Sequence, residues 1–291
     1  MLCSCGNGKK KTQVGMTTSF CVVGSPIEQS LSPVLHTAAY KHLGLDFAYG
    51  KNEVPAGGLR NFLSSSDLVG VSVTMPLKHE AFDLAVSHDE DSLTTGVSNT
   101  LVRSASGWRG FNTDVYGICE ALSIVSEPRV TVVIGSGATA RSGMVALSKL
   151  FPKTQVHLIS RNQDAGVALE VFGQTLGLNV SIKPATVQAL MSGDLVMSLV
   201  PAGSYAELWE EIQRSGNSRS GTLFDVTYNP WPSKAGLAWN PSTVISGIEM
   251  LIWQAIEQVQ LFATANGSIG EIDRSALYSV MKAAVSSNGR L

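Results

Sequence analysis

The stretch best suited to chemistry is Val130-Thr131-Val132-Val133-Ile134-Gly135-Ser136-Gly137-Ala138-Thr139-Ala140. Five β-favouring residues read as a strand buried on both faces. A tight Gly135–Gly137 turn follows, then a helix-competent run to about residue 150. Gly135, Gly137 and Ala140 fall in the G-x-G-x-x-A register that cradles a pyrophosphate. The first glycine permits the turn, the second admits the phosphates, and the small third residue lets helix pack on strand. The helix N-terminus then faces the negative charge. Downstream, the strand 155–159 ends in Ser160-Arg161-Asn162, with no acid until Asp164. An acid at that tip binds the ribose 2′-hydroxyl of NAD, whereas arginine accommodates the 2′-phosphate of NADP. The planar fork of Arg161 suits a phosphate, so NADP is the expected dinucleotide.

A second set of polar residues lies in the first third of the chain. Residues 70–75 alternate apolar Val71, Val73 and Met75 with polar Ser72 and Thr74, and Pro76 halts the strand. Lys78 therefore falls just past a strand's carboxyl end, where open α/β sheets gather ligands. It is either a ligand-facing ammonium or a solvated surface group. Residues 99–103 and 108–111 flank a Ser104–Gly107 turn. A symmetric hairpin sets Asn99 opposite Asn112 and brings Asp114 near Asn99 at its open end. Asp114 also precedes a helical run, so an N-cap role competes with a functional one. Ser32 suits an N-cap and Pro33 the first helical position. Either Ser32 merely caps and Ser30 is a loop hydroxyl, or both hydroxyls face an anion at that helix N-terminus.

The elements needed to hold these residues can be read in outline. Strands are expected at 20–24 and 46–52, with helices from Ser32 to Gly44 and over 56–63. His36 and His42 read as packing or surface residues. Beyond Glu127-Pro128 strands and helices alternate, with strands at 195–200, 223–226 and 244–247. Ile248, Leu251, Ile252, Ala255, Ile256 and Val259 form an apolar helical stripe, and Gln254 lies off its centre, where a role beyond facing solvent would have to come from a bound partner. A closing helix covers about 274–285.

Length and composition bound the partners. The 291 residues are 44% hydrophobic, enough for one large domain or two medium ones. Only 15% are charged, with a net charge of −2, so there is no basic field for nucleic acid or an anionic membrane. No apolar run approaches the roughly 18 residues of a membrane span. A small molecule is the expected partner. Of the four cysteines, Cys3 and Cys5 lack a second Cys/His pair, so neither a metal site nor a disulfide framework is expected. Residues 1–18 read as a flexible leader without a signal h-region, Met16 being an alternative start, and the cytoplasm as the compartment.

Taken in order, these motifs resemble those of the shikimate dehydrogenase family over essentially the whole chain after Phe20. The matching residues are Gly24-Ser25-Pro26-Ile27-Glu28-Gln29-Ser30-Leu31-Ser32-Pro33 with His36, Val73-Thr74-Met75-Pro76-Leu77-Lys78, Ser98-Asn99-Thr100-Leu101 and Asn112-Thr113-Asp114. The glycine turn, Ser160-Arg161-Asn162, Asp225 with Tyr228-Asn229-Pro230, and Gly247 with Met250-Leu251 and Gln254-Ala255 complete the series. The resemblance implies an α/β fold: an N-terminal α/β substrate domain and a Rossmann-type doubly wound domain, with C-terminal helices returning to the first. The corresponding bounds are 19–114 with 249–291 for substrate and 115–248 for NADP. It implies that Lys78 and Asp114 are the catalytic pair, and that Ser30, Ser32, Thr74, Lys78, Asn99, Asp114 and Gln254 bind substrate. Gly135, Ser136, Gly137, Ala138, Thr139, Ala140, Ser160, Arg161 and Val200 are implied cofactor contacts, with Tyr228 and Gly247 near the nicotinamide.

The implied reaction is the reversible NADPH-dependent reduction of 3-dehydroshikimate to shikimate, in the route to chorismate and the aromatic amino acids. Lys78 serves as general acid/base, and a homodimer is the candidate assembly. An NAD-linked quinate/shikimate dehydrogenase and an NADP-binding regulator with a dead cleft are the alternatives. The intact Lys78, Asn99 and Asp114 set argues against a regulator. The departures lie on the cofactor side: Ser160-Arg161-Asn162 replaces the family's N-R-T without a second basic residue nearby. Ser198-Leu199-Val200-Pro201 replaces N-A-T-P, and Ser136 and Thr139 stand where glycine or alanine is commoner.

Overall fold

In the computed structural model, which describes residues 18–216, 221–268 and 270–287, the β-branched runs form two six-stranded sheets. The first block holds β1 (Thr18–Gly24), α1 (Ser32–Leu43), β2 (Phe47–Glu53), α2 (Leu59–Ser64), β3 (Gly70–Val73), α3 (Lys78–Leu84), β4 (Ser87–His88), α4 (Glu90–Thr95), β5 (Thr100–Ser104), β6 (Gly107–Phe111) and α5 (Thr113–Leu122). The second holds β7 (Val130–Ile134), α6 (Ala138–Leu150), β8 (Gln155–Ile159), α7 (Gln163–Thr175), β9 (Asn179–Ile182), α8 (Val187–Met191), β10 (Leu195–Ser198), α9 (Ala206–Arg214), β11 (Thr222–Asp225), α10 (Lys234–Leu237) and β12 (Val244–Ser246). Then follow α11 (Gly247–Ala265) and α12 (Arg274–Ser287).

The first sheet runs β2-β1-β3-β5-β6-β4, with β1 parallel to β2 and β3, and β5 antiparallel to β3 and β6. The second is parallel throughout, in the order β9-β8-β7-β10-β11-β12. That is the doubly wound order, whose strand sequence reverses between β7 and β10. The glycine turn leaves β7 at that reversal. The hairpin pairs Thr100 with Phe111 and Ser104 with Gly107, the symmetric register expected from the turn.

Two apolar cores explain the path of the C-terminus. Phe20, Leu31, Leu35 and Tyr40 from the first block are buried with Ile252, Ile256, Phe262, Leu277, Met281 and Val285. Helices α11 and α12 thus return to the first sheet, burying side chains worth roughly 1.5–3 kcal/mol each. Val115, Ile118 and Leu122 of α5 join the core of the second sheet with Val133, Met144 and Phe224.

Several expectations are corrected. Leu31, not Ser32, is the N-cap of α1, and no side chain caps that helix. Ser32 opens the helix, and its N–H donates to the Ser30 hydroxyl at 3.3 Å. Thr18, assigned to the leader, already pairs with Phe47; the rest of that leader, with Cys3, Cys5 and Met16, lies outside the described residues. The expected 56–63 helix forms only over Leu59–Ser64, because Gly57 and Gly58 precede it. Gln254 is only 7% exposed rather than solvent-facing, since α11 is packed by α1, α5, α12 and β5 and has no free side there.

The α5–α11 contact depends on Gly117. A Cβ there would lie 2.7 Å from the Met250 carbonyl oxygen and 2.9 Å from Gln254 Cβ. Gly117→Ala is therefore expected to cost about 1–3 kcal/mol of unfolding free energy in denaturant titrations. Gly270→Ala, whose Cβ would meet nothing within 4 Å, is expected to change little. Equal stability of the two variants would contradict this packing.

Candidate active site

A cavity of about 1000 Å³ lies between the two sheets. Pro26, Gln29, Thr74, Met75, Lys78 and His79 line one wall, and the glycine turn, the β8 tip and the loops after β10 and β11 line the other. Both walls are built from carboxyl ends of parallel strands, where the chain must turn and expose its polar backbone.

On the second-sheet side the turn has the shape a pyrophosphate requires. Gly135 has φ of 120°, and a Cβ there would fall 2.7 Å from the Leu199 carbonyl oxygen. A Cβ on Gly137 would meet nothing within 4 Å, so the backbone there is open to close approach. Ser136, Gly137, Ala138 and Thr139 line the cavity at the start of the thirteen-residue α6, which no side chain caps. Its first N–H groups and positive end are thus available to an anion, and the residues present fit a dinucleotide. Ala140 is fully buried and packs rather than lines the cavity. Ser160, Arg161 and Asn162 lie at the lip. The unusual Ser136 shares a 2.8 Å hydrogen bond with the Ser160 hydroxyl, tying the turn to the β8 tip. Asn162 accepts the Ala165 N–H at 3.0 Å and caps α7. Val200 lines the same wall.

On the first-sheet side the polar residues converge. β3 ends at Val73, three residues before Pro76, and α3 opens at Lys78, whose ammonium donates to Asp114 Oδ2 in an ion pair with side-chain exposures of 11% and 6%. Asn99 Nδ2 donates to Asp114 Oδ1 at 2.8 Å and to Thr113 Oγ1 at 2.9 Å, and lies 3.3 Å from Gln254 Oε1. Asn99 Oδ1 accepts the Thr113 N–H at 2.8 Å, which fixes the start of α5. Asn112 is the N-cap of α5, so Asp114 sits within the first turn, where a carboxylate faces the positive helix end. Gln254 is anchored by donating to the Leu251 carbonyl at 2.9 Å. Thr74 lines the cavity, with Ser30 half-buried and Ser32 buried at the uncapped start of the twelve-residue α1. The positive dipole of that helix end favours a carboxylate there, beside the Ser30 and Ser32 hydroxyls, while Pro33 brings no N–H and the Ser32 N–H is taken by Ser30.

Tyr228 reaches from the second-sheet block to pack on the core of the first while lining the cavity, and burial pushes its phenol above the ordinary range. Its neighbour Asn229 donates to the Gln29 side chain across the cleft mouth. Gly247 does not line the cavity. A Cβ there would fall 2.0 Å from the Val226 carbonyl oxygen, so its place is close packing beneath the cofactor wall.

A polar layer behind the site was missed. Gln258 Oε1 accepts from the Ser72 hydroxyl at 2.7 Å, and its Nε2 donates to Thr100 Oγ1 at 2.8 Å. Tyr49 donates to Ser72 at 2.6 Å. The buried His36 lies 3.3 Å from Gln258 Oε1 and 3.1 Å from the Tyr40 hydroxyl, with its ring stacked 3.9 Å from Tyr49. Gln258 follows Gln254 by one helical turn, a same-face spacing that could have revealed it. Among the described residues no group of three or more His, Cys, Asp and Glu could hold a metal, and no helix is long and apolar enough to cross a membrane.

Architecture and cleft together define an oxidoreductase of the dinucleotide-binding α/β class. Within that class the chain belongs to the shikimate dehydrogenase family. A family model described as the shikimate dehydrogenase substrate binding domain matches residues 22–101. The shikimate dehydrogenase (NADP(+)) of Methanocella arvoryzae is 30% identical over 271 residues, covering 90% of this chain and 98% of that protein. The crystal structure of Mycobacterium tuberculosis shikimate dehydrogenase is similar with a TM-score of 0.78 at 32% identity, over 91% of this chain and 99% of that one. A Thermus thermophilus shikimate 5-dehydrogenase in complex with NADP(H) and shikimate matches with a TM-score of 0.72 at 25% identity, over 92% and 99%.

The buried layer carries a pH signature. Burial pushes the His36 imidazole down from 6.5 to about 3, outweighing its hydrogen bond to Gln258. The folded state then resists a proton that the unfolded chain accepts. Stability contributed by neutral His36 is present above pH 6.5 and lost as pH falls toward 3, at up to about 1.4 kcal/mol per pH unit. In long-range ¹⁵N–¹H NMR spectra the His36 ring is expected to remain neutral at about pH 5. A half-protonated ring there would contradict the burial.

Proposed function

We propose that the chain catalyses the reversible reduction of 3-dehydroshikimate to shikimate with NADPH, in the route to chorismate and the aromatic amino acids. The observation that carries this reading is the Lys78–Asp114–Asn99–Gln254 cluster, joined by hydrogen bonds and sharing a cavity wall with the glycine turn through Lys78. Bound NADPH supplies the hydride to the ketone carbon. Lys78 gives its ammonium proton to the ketone oxygen and, in the oxidative direction, its amine takes the hydroxyl proton. Asp114 orients the Lys78 ammonium and accepts a substrate hydroxyl. Asn99, Gln254 and Thr74 bind the remaining hydroxyls, and Ser30 and Ser32 hold the carboxylate at the start of α1. Gly135 to Thr139 take the pyrophosphate, Arg161 the 2′-phosphate, and Val200 and Tyr228 border the nicotinamide end. Ala140 and Gly247 act by letting elements pack closely beneath.

Residues 19–114 with 249–291 form the substrate part of this proposal and 115–248 the cofactor part, a division supported by the core around Phe20 and Phe262 on one side and the core around Val133 and Met144 on the other. A cytoplasmic location completes the reading, supported by a free cysteine buried at Cys21. So does a homodimer, which light scattering reads directly.

Shikimate and quinate, each assayed spectrophotometrically with NADP and with NAD, test the reaction. Shikimate with NADP is expected to turn over best. Arg161 and Lys78 are the only Lys or Arg among the described lining residues, so the 2′-phosphate depends on Arg161. Arg161→Ala is expected to cost NADP about 1.5–3 kcal/mol and to shrink the NADP:NAD preference in kcat/KM roughly 10- to 150-fold. A wild type that prefers NAD would transfer the assignment to an NAD-linked quinate/shikimate dehydrogenase. NADP binding without turnover of either acid would transfer it to a regulator.

A further inference from the structure

Among the described residues, Tyr205 is the only non-glycine with a left-handed backbone, at φ 55° and ψ 32°. A bulky L-residue adopts that conformation only where its surroundings hold it, and such residues cluster at binding sites. Tyr205 is the N-cap of α9 and follows Pro201-Ala202-Gly203-Ser204, the loop leaving the strand-order reversal. There its half-buried ring rests partly on the core around Val132, Ile159 and Val196, and it also lines the cavity.

On its cavity side the ring faces Arg161. The Arg161 guanidinium carbon lies over the Tyr205 ring, 5.4 Å from its centre. Arg161 is exposed and forms no ion pair among the described residues. A long exposed side chain samples many rotamers, and the entropy lost on binding a phosphate weakens the grip. An aromatic face over the guanidinium restricts those rotamers while leaving N–H edges free for phosphate oxygens. No second basic side chain lines this lip to compensate for a wandering Arg161.

We propose that Tyr205 is a positioning residue for NADP recognition. It holds Arg161 at the β8 tip, so that the guanidinium meets the adenosine 2′-phosphate already oriented. The proposal rests on the NADP reading of this cavity and deepens it: discrimination for the 2′-phosphate comes from an Arg–Tyr pair rather than from Arg161 alone.

The test is calorimetric titration of the full chain with adenosine 2′,5′-bisphosphate and with adenosine 5′-phosphate, which differ only in the 2′-phosphate. The wild type is expected to prefer the bisphosphate. Tyr205→Gly removes the ring, and glycine adopts the left-handed backbone without strain; the packing lost with the ring affects both ligands alike, so the ratio of the two affinities is the readout. This variant is expected to lose roughly 3- to 10-fold in bisphosphate affinity with the monophosphate unchanged. Tyr205→Phe keeps the ring over the guanidinium, so its bisphosphate affinity is expected to stay close to wild type. In an Arg161→Ala background, Tyr205→Gly is expected to leave the ratio of affinities where Arg161→Ala set it. An unmoved ratio in Tyr205→Gly, equal losses for both ligands, or the same loss without Arg161 would each overturn the proposal while leaving the NADP reading standing. A wild type indifferent to the 2′-phosphate would overturn both.

Discussion

The molecule is arranged around one buried ion pair. Lys78 comes from the end of a first-sheet strand and Asp114 from the first turn of α5, whose apolar face belongs to the core of the second sheet. Taking an ammonium and a carboxylate out of water costs several kcal/mol per ion, which only good geometry and further hydrogen bonds offset. Asn99 supplies the further bond to Asp114, and the same side chain fixes the start of α5. Gln254 borders Asn99 from a helix more than a hundred residues later. The pair therefore holds only if hairpin, α3, α5 and α11 all arrive together. Gly117 allows this by letting α5 and α11 approach where any side chain would intrude.

The cofactor wall has a different logic. Its groups are mostly backbone, presented by a turn that must be glycine at Gly135 and by a helix left uncapped. Departures from the family pattern become local devices there. Ser136 bonds to Ser160 and so couples the turn to the strand tip that carries Arg161. At the cleft mouth the Asn229–Gln29 bond joins the loop after β11 to the loop before α1, next to Tyr228 on one side and Ser30 on the other. The two walls are thereby tied at the buried pair and again at the rim.

Sequence patterning revealed what depends on local rules. The glycine turn, α6 over Ala138–Leu150, β8 over Gln155–Ile159 and the hairpin register follow from periodicity and turn chemistry, and all stand as expected. Lys78 past a strand end and Asn99 beside Asp114 follow from those same elements. What patterning could not reveal depends on packing from elsewhere. An apolar stripe marks one buried face, so a helix covered by four elements hides Gln254 and Gln258. Short α4 and two-residue β4 carry too few residues for a period to register. The left-handed backbone of Tyr205 has no composition signal, because the residue types that signal it are glycine and asparagine.

The role proposed for Lys78, oriented by Asp114, is to move the proton that accompanies hydride transfer. The most direct measurement is single-turnover oxidation of NADPH by 3-dehydroshikimate in Lys78→Ala, read beside calorimetric titration of NADP into the same variant. The hydride-transfer rate is expected to fall roughly 10²- to 10⁴-fold with NADP affinity unchanged. A rate close to wild type would contradict it.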